Sequence, residues 1–296
     1  MLKAREDRPG AAVGLILVTF LFFTGIDVAA KWLTTAGMAV LTTVFFRYFL
    51  HFLLTLGAAA ATGEGQVWRM NRPWLTLIRG SMLGVGTACN FLAIQYIPLT
   101  VTVSIYFTVP LMVTAAAALF LGEKVGPRRW AAIAVGLVGV LVITQPWGAR
   151  FHWAMGVSLV AVVVTTVYVL LTRRLAGEER PDTMQFWAAL LPVIVFAPFA
   201  VLNWSLPETP TDWVFFALLG ACGWAGHQCW VLAYRFAEAS ALAPYSYVQI
   251  VYMAAAGWLV FGQQIDAATM AGALILILSG LYVWARERAV AGRPPP

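Results

Sequence analysis

The chain has 296 residues, of which 19 Lys and Arg and 13 Asp and Glu make up only 11%, whereas an ordinary soluble domain has roughly 25% charged residues. With 61% hydrophobic residues, apolar side chains would cover most of a water-soluble globule, and intrinsic disorder is excluded for the same reason. The net charge of +6 comes from basic residues scattered between apolar runs, which argues against nucleic-acid binding. The composition predicts a polytopic protein of the lipid bilayer.

Ten apolar runs are separated by Pro, Gly and charged residues, and each approaches the roughly 20 residues that a helix needs to span the hydrocarbon core. The first run is too long for the apolar region of a signal peptide and lacks a cleavage pattern, so we expect a retained helix. The predicted helices are 11–33, 39–61, 75–96, 99–121, 127–146, 153–174, 183–203, 212–236, 240–262 and 267–285. Pro110 in the fourth and Pro192 in the seventh can kink their helices or provide a rocking point.

The basic residues test the number and orientation of these helices. If the N-terminus is cytoplasmic, fifteen of the 19 Lys and Arg fall in the tails, in the cytoplasmic loops or at the cytoplasmic ends of helices, and only Arg150 falls in an outer loop. This distribution follows the positive-inside rule. It predicts ten transmembrane helices with both termini cytoplasmic, the tails being residues 1–10 and 286–296.

The second half of the chain repeats the first at an offset of about 140 residues. Leu92 and Ala93 then align with Leu232 and Ala233, and residues 115–125 align with 255–265. Because five helices are an odd number, the second half enters the membrane with the opposite orientation. The sequence therefore predicts two inverted five-helix repeats, 11–146 and 153–285, as in transporters that work by alternating access.

The same offset aligns Tyr106 with Ser246 and Phe107 with Tyr247. It thereby predicts that the fourth and ninth helices lie at the centre of the pseudo-twofold symmetry.

Four charged residues, Asp27, Lys31, Arg47 and Arg79, fall within the first three predicted helices, and a charge inside a membrane is costly and indicates function. Arg79 lies near the cytoplasmic end of the third helix, and snorkelling to the interface is its favoured explanation. Asp27 and Arg47 lie at similar depths in the first two helices, and Lys31 lies one turn from Asp27 on the same face. We predict that Asp27, Lys31 and Arg47 form a gate or charge pair, a purely structural ion pair being equally compatible with the sequence.

His51 lies one turn beyond Arg47, and His227 lies in the middle of the eighth helix. Histidine changes its charge near neutral pH, so either residue is a candidate for proton coupling, although an imidazole bonded to a neighbouring helix is as common. Other polar groups at membrane depth need a partner or a wet cavity, and aromatic rings among them suit a planar or cationic organic ligand. The predicted substrate contacts are Asn90, Tyr106, Tyr168, Trp224, Tyr247 and Gln249, with hydrogen bonding between helices as the alternative for each.

Enzymatic motifs are missing from the sequence. There is no P-loop, no Ser/His/Asp set and no pair of intramembrane carboxylates. The three cysteines have neither metal-ligand nor disulfide spacing. We expect no catalytic residue, no metal site and no cofactor.

Several stretches resemble the drug/metabolite transporter superfamily in its EamA-type ten-helix branch. They are IDVAAK at 26–31, FFRY at 45–48, and an ordered set that runs from Leu92-Ala93 through Ile97-Pro98-Leu99, Val109-Pro110-Leu111 and LGEK at 121–124 to VGLVGV at 135–140. The second half departs from the pattern, with Ile250 in place of proline and Gln263 in place of glutamate. Family members that carry S-adenosylmethionine or riboflavin are similar in several of these segments. The resemblance implies a central cavity, lined by helices of both halves, that opens alternately to the two sides.

We therefore expect a multi-pass secondary transporter of the inner membrane. Its substrate would be a small organic metabolite: an amino acid, a nucleoside-like compound such as S-adenosylmethionine, or a vitamin. Because no ATPase motif is present, a gradient of the substrate, of protons or of another ion would drive it. The alternatives are a non-transporting membrane partner protein and an intramembrane enzyme, and the sequence leaves the oligomeric state open.

Overall fold

A computed structural model describes residues 8–62, 67–120, 125–149, 151–175, 178–237 and 242–291. Regular structure in these ranges is helical, and nine helical segments within them are long and apolar enough to cross a membrane, α4 and α5 counting as one. The helices are α1 (Pro9–Thr35), α2 (Val40–Thr62), α3 (Pro73–Tyr96), α4 (Leu99–Tyr106), α5 (Val109–Phe120), α6 (Pro127–Thr144), α7 (Trp153–Leu175), α8 (Pro181–Leu202), α9 (Pro210–Phe236), α10 (Val248–Phe261) and α11 (Ala267–Ala291), with a 3₁₀ helix at Ala243–Tyr247.

Proline marks the start of most of the long helices. Pro73, Pro127, Pro181 and Pro210 each occupy the first position of a helix, where the missing N–H would have had no partner in any case. Gly262 ends α10 in the left-handed conformation with φ of 63°, which glycine adopts without steric cost. Outside the predicted helix 240–262, the observed helix ends lie within a few residues of the predicted ones, except that α11 continues to Ala291 and so includes part of the predicted tail 286–296.

The predicted helix at 240–262 differs most from the structure. From Leu242 onward it consists of the 3₁₀ helix and the 14 residues of α10, too short to count among the nine spanning segments. The number of ten spanning helices therefore stays a prediction. The LGEK motif at 121–124 lies outside the described residues.

The chain divides into two compact units. The first unit comprises residues 1–24, 98–155 and 226–296, and the second comprises 25–97 and 156–225. Each unit draws segments from both predicted repeats, so neither unit coincides with 11–146 or 153–285.

Close helix packing organises the interior of the first unit. A carbon added at Gly139 of α6 would lie 2.9 Å from the backbone oxygen of Gly272 on α11. Such contacts between small residues let two helices approach closely. Where the family pattern would place a glutamate, the Gln263 Oε1 atom accepts a hydrogen bond of 3.2 Å from the backbone N–H of Leu99 and so caps α4.

The second unit packs α3 against α8 through small residues. A carbon added at Gly80 would lie 3.1 Å from the backbone oxygen of Trp187, and one at Gly84 would lie 3.1 Å from the ring of Pro192. This contact brings Arg79, the neighbour of Gly80, into the same helix interface.

Candidate functional site

Arg79 is buried in the second unit with 4% of its surface exposed. Its Nε donates to the Thr172 hydroxyl at 2.7 Å, its Nη1 to the Met184 carbonyl at 3.0 Å and its Nη2 to the Tyr168 hydroxyl at 2.9 Å. The guanidinium also lies 4.6 Å from the centre of the Tyr168 ring. The snorkelling interpretation is therefore wrong, because the guanidinium is buried and bonded to residues of α7 and α8.

Glu179, which the sequence did not single out, caps the start of α3. Its Oε2 accepts hydrogen bonds from the backbone N–H groups of Asn71 at 2.8 Å and Arg72 at 3.0 Å, immediately before the first residue of the helix. A carboxylate at a helix N-terminus satisfies free N–H groups and interacts favourably with the helix dipole. No motif surrounds Glu179, so its role depends on the packing of the α7–α8 loop against α3.

Lys31 occupies the opposite end of α3. Its ammonium group donates to the backbone carbonyls of Ile94 and Ile97, where the helix ends and its carbonyls lack partners within the helix. A cation at a helix C-terminus is favourable. The contacts of the Lys31 ammonium thus give it a structural role beside the predicted one.

Asp27 on α1 lies close to Asn90 on α3, and both were predicted to be functional. The Asn90 Nδ2 group donates to the Asp27 Oδ1 atom at 2.8 Å. Arg47 is near enough to act electrostatically on the Asp27 carboxylate, but the two form no salt bridge in the part of the chain that the structure describes. The structure therefore brings Asp27 together with a predicted substrate contact.

Arg47 is buried on α2 with 6% of its surface exposed. Its Nε and Nη1 atoms are buried and have no hydrogen-bond partner among the described residues. The guanidinium lies 4.2 Å from the centre of the Tyr48 ring, whose hydroxyl shares a hydrogen bond of 2.7 Å with Thr87. An intramembrane cation with open donors can bind an anionic or carbonyl group.

His51 and Trp224 also lie within the second unit. A carbon added at Gly223 would lie 3.7 Å from the His51 Nδ1 atom, which places α9 beside α2. The Leu50 side chain occupies the space that a carbon added at Gly220 would need. The Trp224 indole N–H is buried without a hydrogen-bond partner in the described ranges. It is therefore a second donor available to a polar ligand.

In the first unit, the fourth predicted helix is interrupted. Helix α4 ends at Tyr106 and α5 begins at Val109, and Pro110 lacks the N–H that would bond to the Tyr106 carbonyl. The hydroxyls of Ser104 and Thr108 at this interruption are buried and have no hydrogen-bond partner among the residues described. The interruption therefore places two buried hydroxyl groups in a span of the protein where the described residues offer them no hydrogen bond.

A second interruption of regular α-helix lies 140 residues later, where the backbone stays right-handed helical but changes from the 3₁₀ helix to α10 at Tyr247 and Val248. The rings of Phe107 and Tyr247 contact each other edge to face, with centroids 5.0 Å apart. The Tyr247 hydroxyl lies against Gly280 of α11, where any larger residue would overlap it. The residues at the two interruptions thus touch within one unit.

The other predicted site residues of the first unit lie near these helices or on α9. Tyr106 is the last residue of α4 and Gln249 lies in the first turn of α10, both partly buried. The His227 ring lies 5.3 Å from the Phe23 ring, measured between centroids. The residues described contain no cluster of His, Cys, Asp and Glu that could hold a metal ion.

Comparison with known proteins gives a consistent result. The EamA-like transporter family matches residues 10–145 and again residues 152–285. A riboflavin transporter of Rhizobium johnstonii is 27% identical, with 96% of this chain and 95% of that protein covered. An S-adenosylmethionine uptake transporter of Rickettsia bellii is 26% identical, covering 93% and 94%. A solved crystal structure shares the fold, with a TM-score of 0.66 at 19% identity over 97% of this chain and 100% of the other.

Proposed function

Because the chain belongs to the EamA-like transporter family, we propose that it is a secondary transporter that moves a small organic metabolite across the inner membrane by alternating access. It is a multi-pass membrane protein, and its family and similar proteins are transporters, not enzymes. The proposal includes ten helices in two inverted repeats with both termini cytoplasmic. The double match of the family and the distribution of basic residues support that arrangement.

The paired helix interruptions carry the proposal. Transporters built from inverted repeats bind their substrates at discontinuous helices, which occupy corresponding positions in the two halves. Here the interruptions at Phe107–Thr108 and Tyr247–Val248 correspond through the offset of 140 residues, and the Phe107 and Tyr247 rings touch. We assign the substrate-binding region of the first unit to this pair.

The substrate classes follow from the chemistry of these side chains and from the similar proteins. Aromatic rings beside hydroxyl and amide groups suit a planar heterocycle with polar substituents, as in riboflavin or S-adenosylmethionine. We propose Tyr106, Tyr247 and Gln249 in the first unit as substrate contacts, and Asn90 and Trp224 in the second. Tyr168 stays in the proposal through its ring, since its hydroxyl accepts a hydrogen bond from Arg79.

The charged and titratable residues complete the proposal. Asp27 and Arg47, with Lys31 at the end of α3, would form the gate, and His227 or His51 would carry a coupled proton. Uptake measured with and without an imposed pH gradient separates proton coupling from simple exchange.

Flux measurements test the function directly. The purified protein would be reconstituted in liposomes and offered radiolabelled riboflavin, S-adenosylmethionine and amino acids. Saturable, protein-dependent uptake of one of them supports the proposal. A folded protein that neither transports nor is stabilised by any compound of the panel would instead favour the membrane partner protein.

A glycine substitution tests the assigned region. We expect Gly280→Ala to push the Tyr247 ring away from Phe107 and to lower uptake at least about tenfold. A tenfold loss corresponds to about 1.4 kcal/mol less favourable interaction with the substrate. Gly156→Ala is the matched control, because a carbon added there meets no atom within 4 Å. Wild-type uptake by the Gly280→Ala variant would remove the interruptions from the substrate path.

A further inference from the structure

The guanidinium of Arg47 is a buried cation whose local partners do not account for it. Its Nε and Nη1 atoms have no hydrogen-bond partner within the described ranges. Donors buried in hydrocarbon without a partner lower stability, because they give up the hydrogen bonds of water and gain none. Arg47 also interacts with Tyr48, through its ring at 4.2 Å and through its hydroxyl, but the ring contact contributes only roughly 0.5–2 kcal/mol and neither contact involves a partner for Nε or Nη1 among the described residues.

Asp27, the nearest intramembrane carboxylate in the sequence, does not fill this role. It accepts a hydrogen bond from Asn90 on α3 and makes no salt bridge with Arg47 in the described part of the chain. Arg79 of the same unit shows that the fold can give each guanidinium nitrogen of a buried arginine a hydrogen-bond partner. The Nε and Nη1 donors of Arg47 are therefore available to a hydrogen-bond acceptor on a bound ligand.

We propose that Arg47 binds a carboxylate group of the transported metabolite, an inference that rests on the proposed transport function. A guanidinium donates charge-assisted hydrogen bonds to carboxylates and phosphates, and these are stronger than neutral ones. A singly charged carboxylate matches the single arginine, so the substrate is an amino acid or a compound with an amino-acid head group.

Matched ligand pairs test this assignment in purified protein. S-adenosylmethionine is compared with its decarboxylated analogue, and methionine with methioninamide, while riboflavin serves as a probe that lacks a carboxylate. The dissociation constant of each is measured by ligand-induced thermal stabilisation. The variants are Arg47→Gln and Arg47→Lys, and Arg128→Gln is the control because it removes an exposed arginine at the start of α6.

In the wild type, we expect at least one carboxylate to bind about tenfold more tightly than the analogue that lacks the carboxylate. Arg47→Gln should reduce this ratio to about threefold or less by weakening the carboxylate, Arg47→Lys should keep part of it, and Arg128→Gln should leave it unchanged. An unchanged ratio in Arg47→Gln overturns the proposal. The proposal is also overturned if no carboxylate of the panel stabilises the wild type more than the analogue that lacks the carboxylate.

Two further measurements separate this proposal from its neighbours. Ligand-free Arg47→Gln should melt no lower than the wild type, whereas a clear drop would identify Arg47 as a structural residue and overturn the proposal. Flux in liposomes distinguishes the two functional claims. If riboflavin is taken up but Arg47→Gln does not change the preference for carboxylates, transport is supported and the role of Arg47 is rejected. If Arg47 determines carboxylate binding but no compound is transported, the transport function is rejected and the carboxylate site is kept.

Discussion

Two buried arginines of the second unit have opposite surroundings. Arg79 on α3 donates hydrogen bonds from Nε, Nη1 and Nη2 to partners on α7 and α8, whereas Nε and Nη1 of Arg47 on α2 have no partner among the described residues. Both side chains lose their hydration on burial. Arg79 recovers that loss within the fold, which indicates a structural role, whereas the Nε and Nη1 donors of Arg47 do not, and this difference is the basis of the binding role proposed for Arg47.

The charged groups at the two ends of α3 resemble Arg79 in having hydrogen-bond partners within the fold. The Glu179 carboxylate satisfies backbone N–H groups at the start of the helix, and the Lys31 ammonium satisfies carbonyls at its end. Both charges have the sign that the helix dipole favours. Helix α3 is therefore fixed at both termini and at Arg79 by charges with partners, which distinguishes it from the open donors on α2.

Arg79→Met should have the largest effect on stability. The substitution removes three hydrogen bonds and leaves the Met184 carbonyl without its donor, so we expect the free energy of unfolding to fall by about 3 kcal/mol or more. Titration with sodium dodecyl sulfate in mixed micelles measures it. Arg128→Met is the control, because Arg128 is exposed. Equal stability of Arg79→Met and wild type would end the contrast between the two arginines.

Glu179→Gln should lower the free energy of unfolding by about 1–2 kcal/mol. The amide keeps one acceptor oxygen for the start of α3 but loses the charge that strengthens those hydrogen bonds. The same titration measures the change, and Glu178→Gln on the neighbouring residue, which forms a more exposed salt bridge with Arg72 at 2.9 Å, is the matched control. If both variants lost the same stability, the cap at α3 would have no special role.

Lys31→Met should cost about 1 kcal/mol through the two carbonyls left without a donor at the end of α3. Because the Lys31 ammonium contacts these helix carbonyls, we expect the ratio of affinities for a carboxylate and for its analogue without the carboxylate to stay at the wild-type value. Thermal stability and ligand binding, measured on the same preparation, check both statements. A lost ratio with intact stability would move Lys31 from the helix cap to the substrate site.

The helices could be predicted from the sequence because they depend on local signals. Apolar runs near the length of the hydrocarbon core and proline at helix starts act within the segment that they define. The sequence marks Pro110 and Pro192 as positions where a helix can kink: the structure interrupts the fourth helix at Phe107 and Thr108, whereas α8 continues through Pro192. The family could also be predicted, because ordered motifs along the whole chain identify it.

The partners of the charged residues could not be predicted, because they depend on which helix faces a side chain. Arg79 lies near a helix end, so depth alone favours snorkelling, yet its face packs on α8 and turns it inward. Lys31 shares a face with Asp27 by sequence spacing, but its long side chain reaches the end of α3. Glu179 precedes Pro181 in a charged loop without a motif, and only the approach of α3 gives it a function.

Arg47→Met should have the smallest effect on stability, and in the opposite direction. Methionine fills much of the same volume without an open donor, so the free energy of unfolding of the ligand-free protein should stay the same or rise by up to about 1 kcal/mol. Titration in mixed micelles, run beside Arg79→Met, measures the sign. A loss as large as that of Arg79→Met would mean that Arg47 has a structural partner. A gain in stability combined with lost carboxylate binding would show that this arginine is retained for its ligand, at a cost to the fold.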